Sequence, residues 1–183
     1  MPEICPWWLG YFLLGPIRRL LQNPEKFVGP YVKPGMKVLE VGPGMGFFTL
    51  PMARMVGETG KVYSVDVQEQ MIRALQRRAT KAKLAGRIEA RICSENSLGV
   101  DDLRGQIDFV LAFAVVHEIP DSRRLFREIF EVLKEDRLML FSEPKGHVSS
   151  EEFAQSELTA FAAGFNRVTT LHIPKSYSTI LKK

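Results

Sequence analysis

Cysteine is scarce in this 183-residue chain, which contains only Cys5 and Cys93. Two cysteines so far apart form neither a disulfide framework nor the ligand spacing of a metal site. Sparse thiols without such a pattern are typical of proteins from a reducing compartment. The sequence therefore predicts no bound metal and favours a cytoplasmic location.

Long hydrophobic runs are also absent. The apolar stretch near the start, residues 5–14, is shorter than the about 20 apolar residues that span a bilayer. Arg18 and Arg19 follow this stretch, whereas a secretory signal carries its positive charge before the apolar segment. We expect no stable membrane insertion; a tryptophan-rich start followed by two arginines would also suit contact with a membrane surface.

The chain has no block of one charge sign, no internal repeat and no low-complexity segment. Lys and Arg number 25 against 21 Asp and Glu, and the net charge of +4 is dispersed along the chain. Dispersed basic residues are typical of solvated helix faces, so a nucleic-acid partner is not expected. A hydrophobic content of 45% suits one folded domain over residues 1–183. The oligomeric state stays open.

Three glycines at alternate positions form the strongest motif of the chain. Gly42, Gly44 and Gly46 follow the largely apolar run 38–41, and two phenylalanines come next. This pattern predicts a strand, a tight turn and the start of a helix. Glycine is needed where the chain turns sharply or where backbone approaches a ligand too closely for a Cβ atom. The N–H groups of such a turn and helix start offer hydrogen bonds to a ligand.

The spacing of these glycines distinguishes between the different kinds of nucleotide-binding site. A dinucleotide-binding turn, G-x-G-x-x-G/A, needs a small residue where this chain has Phe47. A P-loop needs Gly-Lys-Ser/Thr, which is absent. The chain instead shows an acid two residues before a G-x-G-x-G turn, and so resembles the class I S-adenosylmethionine-dependent methyltransferases, in particular their small, UbiE-like members. The resemblance implies S-adenosylmethionine as the cofactor, held around Glu40, Gly42, Pro43, Gly44 and Gly46.

Asp66 is the second candidate ligand residue. It closes the predicted strand 61–67 and lies 20 residues after Gly46. In a doubly wound sheet this places its carboxylate at the carboxyl edge of the neighbouring strand, within reach of a ribose. An ionised carboxylate accepts hydrogen bonds from both ribose hydroxyls. Taken alone, such an acid is more often a helix N-cap, but the glycine motif before it favours binding.

The contacts to the adenine are implied by the resemblance. Val67 and Met71 match family positions that lie against the adenine, and ordinary packing in the helix core is the alternative for both. Glu95 matches the family acid that binds the adenine amino group, and a shift of one residue gives that role to Asn96.

The predicted strand 107–114 is almost continuously apolar, which favours a central parallel position in the sheet. By the resemblance, the backbone at Ala112 and Phe113 should lie near the methionine part of the cofactor. His117 and Glu118 follow, and a histidine oriented by a carboxylate can act as a general base. Adjacent residues point in different directions, so packing is the alternative role for His117.

The alternation of helical and strand patterns predicts an α/β fold. The resemblance implies three layers around a doubly wound seven-stranded sheet of order 3-2-1-4-5-7-6, with strand 7 antiparallel. Residues 1–35 are expected to form an N-terminal helical cap, either a lid over the active site or simple packing on the core. Helices are predicted over 5–22, 47–56, 68–84 and 122–134 and after the capping box at 149–152, and strands over 38–41, 61–67, 87–93, 107–114, 136–144, 167–172 and 176–181.

The reaction that the resemblance implies places few demands on side chains. A sulfonium already activates its methyl group, so the protein mainly holds donor and nucleophile close and aligned. The apolar loops favour a small, partly apolar acceptor, and two cysteines cannot supply a three-thiol site for a metalloid. Aromatic faces can attract the sulfonium by cation-π interaction, with core packing as the alternative; the candidates are Tyr11, Tyr31, Phe47 and Phe113.

Two other functions remain open at this point. The first is a nicotinamide-dependent oxidoreductase, against which Phe47 argues because it occupies the small-residue position of the dinucleotide turn. The second is a cofactor-binding subunit without catalytic activity, which nothing in the residues excludes.

Overall fold

The computed structural model of the protein describes residues 23–183, so the predicted helix 5–22 and Tyr11 lie outside the described residues. Within the described part, no helix is long and apolar enough to cross a membrane. Its helices are α1 (Pro24–Val28), α2 (Thr49–Met55), α3 (Glu69–Lys81), α4 (Ser122–Val132) and α5 (Ser150–Ala162). Its strands are β1 (Lys37–Val41), β2 (Lys61–Asp66), β3 (Ile88–Ile92), β4 (Ile107–Phe113), β5 (Leu133–Pro144), β6 (Asn166–Thr170) and β7 (Ser176–Lys182).

The seven strands of the described residues form one sheet in the order β3-β2-β1-β4-β5-β7-β6. β7 runs antiparallel to both of its neighbours, and the other pairs are parallel. The predicted order and the antiparallel strand are confirmed. Because β1 pairs with both β2 and β4, the winding of the chain reverses there, and the loops after β1 and β4 diverge.

β4 shows how the sheet is buried on both faces. Val110 and Ala112 pack with residues of α4 and α5 on one face, whereas Phe109 and Leu111 pack with residues of α2 on the other. Successive side chains of a strand point to opposite faces, so a continuous apolar strand needs helices on each side. The predicted three-layer architecture is confirmed.

Local signals explain two helix starts, and the second of them confirms the predicted capping box. Regular helix after the glycine turn begins at Thr49, so Pro51 falls in the first turn, where its missing N–H costs nothing. The Ser149 hydroxyl accepts the Glu152 N–H, and the Glu152 carboxylate accepts the Ser149 N–H, which completes the capping box of α5.

The predicted start of the fifth strand, at residue 136, was wrong. α4 ends at Val132 and β5 begins at Leu133 without a separate turn. The register against β4 shifts between Ile107 and Phe109, and Asp136 adopts φ 62°. This left-handed conformation is one that aspartate tolerates better than most residues, so an irregularity inside the strand takes the place of the expected turn.

Candidate functional site

A cleft of about 510 Å³ opens at the carboxyl ends of β1 and β4. Within the described residues its walls come from the loops that follow β1, β2, β3 and β4. The predicted site residues that line it are Glu40, Gly42, Pro43, Gly44, Asp66, Val67, Met71, Glu95 and Phe113. Those that are not among its lining residues are Gly46, Asn96, Ala112 and His117.

The three motif glycines differ in what surrounds them. All have positive φ, of 68°, 54° and 88° for Gly42, Gly44 and Gly46. A Cβ atom on Gly42 would lie 2.5 Å from a Val115 methyl carbon, and one on Gly46 would lie 2.6 Å from a Leu75 methyl carbon. A Cβ atom on Gly44 would meet nothing within 4 Å. A Cβ atom would thus crowd a neighbouring side chain at both outer glycines, whereas Gly44 has open space beside it and lines the cleft.

Arg78 holds the glycine turn from behind. Its guanidinium donates a hydrogen bond to the Met45 carbonyl, and burial lowers the pKa of Arg78. Arg78 thus differs from the solvated basic residues that are typical of a helix face. No local pattern signals this contact, because Arg78 and Met45 lie 33 positions apart and Arg77 beside it is exposed.

Glu40 lies beneath the turn and is 3% exposed. The hydroxyls of Thr49 and Ser64 both donate hydrogen bonds to its Oε2. Burial raises the pKa of Glu40 to about 7, the two hydroxyls oppose this rise, and the charge of Asp66 adds to it. The carboxyl group is therefore only partly ionised near neutral pH, and a cation in the cleft would favour its charged form.

Glu40→Gln is expected to flatten the dependence of stability on pH. Between pH 4.5 and about 7 the folded chain retains the Glu40 proton, whereas the unfolded chain has lost it. The free energy of unfolding of the wild type therefore falls as pH rises through this window, by up to about 3 kcal/mol. Glutamine keeps an acceptor for both hydroxyls but does not titrate.

Urea unfolding of the ligand-free protein at pH 5 and pH 7.5 measures this difference. Glu58→Gln is the matched control, because the Glu58 side chain is 90% exposed, and it should retain the wild-type slope. An identical slope in Glu40→Gln and wild type would contradict the burial argument.

Asp66 joins the two sides of the cleft. The Gly44 N–H donates to its Oδ2 at 3.3 Å, and the Gln68 N–H donates to its Oδ1 at 2.9 Å. Burial raises the pKa of Asp66 to about 6, and these backbone hydrogen bonds oppose the rise. Asp66 thus links the glycine turn to the start of α3 while its carboxylate lines the cleft. The two roles considered for Asp66, at the start of a helix and in binding a ligand, are therefore compatible.

The far wall contains Val67 and Met71. Val67 is 37% exposed and lines the cleft, whereas Met71 is buried in a small cluster with Met45 and Ala74. Most of the Met71 side chain is therefore packed in the core, as the alternative interpretation holds, and only a small part of it lies at the cleft.

Glu95 lines the cleft after β3, whereas Asn96 does not. The backbone of this loop is held by a residue that the sequence did not indicate: Arg124 of α4 donates to the Glu95 carbonyl at 2.7 Å. Cys93 is half-buried and also lines the cleft. Burial raises the pKa of the Cys93 thiol to about 11, so it stays protonated and is no nucleophile at neutral pH.

The aromatic candidates separate into two groups. Phe47 and Phe113 line the cleft, and both rings pack on Phe48, with centroid distances of 5.1 and 4.7 Å. Tyr31 stacks on Phe109 at 5.6 Å and is not a lining residue. The core-packing alternative thus describes Tyr31.

His117 is oriented by a carboxylate, but not by its sequence neighbour. Its Nδ1 is hydrogen-bonded to Glu143 of β5, whereas its Nε2 lies 3.9 Å from Glu118. Burial alone lowers the pKa of His117, but the hydrogen bond to Glu143 and the charges of Glu143 and Glu118 outweigh it, so the pKa lies above its ordinary value of 6.5. His117 does not line the cleft, and Glu118 does.

Within residues 23–183, no group of three or more His, Cys, Asp or Glu side chains is arranged to hold a metal ion. The charged side chains that line the described cleft are four carboxylates and one guanidinium, namely Glu40, Asp66, Glu95, Glu118 and Arg124. The cleft is therefore acidic. It favours a ligand that carries positive charge and hydrogen-bond donors.

Known proteins resemble the chain in sequence and in structure. A family model described as a methyltransferase domain matches residues 32–180. The ubiquinone/menaquinone biosynthesis C-methyltransferase UbiE of Hydrogenovibrio crunogenus is 26% identical over 79% of this chain and 52% of its own length. The demethylmenaquinone methyltransferase of Bacillus mycoides is 27% identical over 73% of this chain and 52% of its own length. The chain thus spans about half the length of these curated relatives.

A solved structure extends the similarity to nearly the whole fold. The crystal structure of a SAM dependent methyltransferase from Aquifex aeolicus superposes with a TM-score of 0.87. The two chains are 26% identical, and the match covers 98% of this chain and 99% of that one.

Proposed function

Because the chain belongs to the class I S-adenosylmethionine-dependent methyltransferases, we propose that its cleft binds S-adenosylmethionine and that the methyl group passes to a small, partly apolar acceptor. The observation that carries this proposal is the glycine turn. Gly44 leaves open space for a ligand, and the Asp66 carboxylate lies directly beside it. When bound, S-adenosylmethionine supplies a methyl group on a sulfonium.

The residues present fit this cofactor chemically. The Asp66 carboxylate can accept hydrogen bonds from ribose hydroxyls, whether or not it also keeps the hydrogen bond from the Gly44 N–H. Glu95 lies at the loop after β3, on the wall where Val67 offers an apolar surface to a base. Glu40 and the N–H groups of the glycine turn remain for the charged amino acid part. Phe47 and Phe113 present rings to the same cleft.

The charges of the cleft favour S-adenosylmethionine over a dinucleotide. A pyrophosphate at the glycine turn would lie close to the carboxylates of Glu40 and Asp66, and like charges in a partly buried cleft repel strongly. The lining guanidinium, from Arg124, is bound to the Glu95 carbonyl and lies 3.5 Å from the Glu128 carboxylate. An acidic cleft of this kind favours the cationic sulfonium.

Much of the cleft lining is apolar. Phe47, Phe48, Phe113, Val115 and Ile119 line it within the described residues. Such a surface suits an aromatic or aliphatic acceptor, since burial of apolar area is the main source of affinity in small-molecule clefts. By its name, the relative from Bacillus mycoides acts on demethylmenaquinone.

Isothermal titration calorimetry with S-adenosylmethionine, S-adenosylhomocysteine and NAD tests the cofactor. We expect both sulfur nucleosides to bind and NAD to bind at least about 100-fold more weakly, which corresponds to about 2.7 kcal/mol. Tighter binding of NAD would favour the oxidoreductase. Binding of the sulfur nucleosides without methyl transfer to any phenol, quinol, amine or thiol would favour the non-catalytic subunit.

A further inference from the structure

A buried carboxylate joins the ends of β4 and β5. Glu143, the second-to-last residue of β5, is 1% exposed. Its Oε1 accepts the Val116 N–H at 2.8 Å, and its Oε2 is hydrogen-bonded to His117 Nδ1. A charge buried this deeply is stable only when it is paired and hydrogen-bonded. The turn Val116–Glu118 is therefore held to the end of β5 by Glu143.

The His117 ring connects this buried carboxylate to the cleft. Its second nitrogen, Nε2, lies 3.9 Å from the Glu118 carboxylate, and Glu118 lines the cleft beside Ile119. The titratable groups that face His117 within the described residues are Glu143 of β5, Glu118 of its own turn and His147, whose ring centroid lies 5.5 Å away in the loop after β5.

We propose that Glu118 is a catalytic residue that takes the proton of an acceptor hydroxyl or amine, and that His117 and Glu143 are positioning residues that hold Glu118 at the cleft. This rests on the proposed function and narrows its substrate class to acceptors whose reacting atom carries a removable hydrogen. Glu118 lines the cleft together with the apolar residues Val115, Ile119 and Pro120, and its carboxylate there would bind a hydroxyl or ammonium and repel an anion.

The proton balance of the step is consistent with this cluster. A lone pair of the acceptor oxygen or nitrogen forms the bond to the methyl carbon, the carbon–sulfur bond breaks with its electron pair going to sulfur, and the acceptor proton goes to the Glu118 carboxylate. The sulfonium loses its positive charge and the Glu118 carboxylate loses its negative charge, so the products of the step are neutral.

Glu118→Gln tests the catalytic role, because glutamine keeps the size of the side chain but cannot take a proton. Methyl transfer is measured with two probes: 1,4-naphthohydroquinone, which has an O–H proton to lose, and 4-nitrothiophenolate, which has none. We expect kcat for the hydroquinone to fall about 100-fold, whereas the rate with the thiolate, an anion that the Glu118 carboxylate repels, should not fall. The acid limb of the pH-rate profile should also disappear, and Glu118→Asp should restore part of the rate.

The control Glu58→Gln changes an exposed carboxylate outside the cleft and should leave both rates unaltered. An equal loss with both probes, or no loss with either, would overturn the catalytic role. Affinity for S-adenosylhomocysteine should change less than about threefold in Glu118→Gln. Absence of that binding in the wild type would instead refute the proposed function.

The positioning roles have a readout that needs no acceptor. The pKa of His117 is followed by ¹H–¹⁵N NMR of the three histidine rings, with His117→Gln used for assignment. In Glu143→Gln we expect it to fall by about one unit or more, and in Glu118→Gln by less. The same titration in all variants would overturn the cluster. If Glu143→Gln fails to fold, the Glu118→Gln variant alone tests the cluster. An unchanged pKa of His117 in that variant would exclude an interaction between His117 and Glu118.

Discussion

Asp66→Ala is expected to weaken binding of S-adenosylmethionine by about 100-fold. Two hydrogen bonds from ribose hydroxyls to a carboxylate are lost, and each hydrogen bond to a charged group contributes about 1.5–3 kcal/mol. Part of that is recovered by water, which leaves a loss of about 2.7 kcal/mol. The measurement is the dissociation constant of S-adenosylmethionine and of S-adenosylhomocysteine by calorimetry.

The control for this experiment must separate a lost ligand contact from a loosened loop, because Asp66 also accepts the N–H of Gly44. An analogue of S-adenosylhomocysteine without the 2′-hydroxyl provides the separation. If Asp66 binds the ribose, Asp66→Ala costs less affinity for the deoxy analogue than for the parent compound. Asp101→Ala, which removes a carboxylate 85% exposed outside the cleft, should bind like wild type. Unchanged affinity in Asp66→Ala would refute the ribose assignment.

The pH dependence of binding follows from the same carboxyl group. Burial raises the pKa of Asp66 to about 6 in the ligand-free protein, and the ionised form is the one that accepts both ribose hydroxyls. The affinity of the wild type should therefore increase between pH 5 and 7 as Asp66 loses its proton. The same increase should be smaller in Asp66→Ala, where only Glu40 contributes.

The fold was predictable because its signals are local and repeated. The continuous apolar run of β4 indicated a central strand, and the capping box at Ser149 and Glu152 placed the start of α5. The one-residue difference between Gly46 and Phe47 distinguished the glycine turn from a dinucleotide motif. Each of these signals depends on neighbours within one element, where backbone geometry dictates the spacing.

Polar contacts between distant elements were not predictable. Arg78 binds Met45 across 33 positions, and Glu143 binds His117 across 26. An arginine on an exposed helix face and an acid near a strand end have the same local pattern whether or not they reach a partner. Burial of these groups depends on how elements pack, so only the structure reveals that Glu143, rather than adjacent Glu118, orients His117.

Gly44→Ala is expected to abolish most cofactor binding while the protein still folds. Gly44 has φ 54°, and a Cβ atom there meets nothing within 4 Å in the ligand-free protein. Alanine in this conformation costs about 1 kcal/mol of stability. Its methyl group would occupy the open space beside Gly44, a residue that lines the cleft in which we propose that the cofactor binds. We expect at least a 10-fold loss of affinity for S-adenosylhomocysteine.

Gly99→Ala is the matched control for this prediction. Gly99 has φ 64°, its Cβ atom would also meet nothing within 4 Å, and it does not line the cleft. Both variants should lose a similar amount of stability in urea unfolding, since both place alanine in the left-handed region. Only Gly44→Ala should lose affinity. Equal affinities in the two variants would show that the glycine at position 44 serves the turn alone, and that the space beside it is not where the ligand binds.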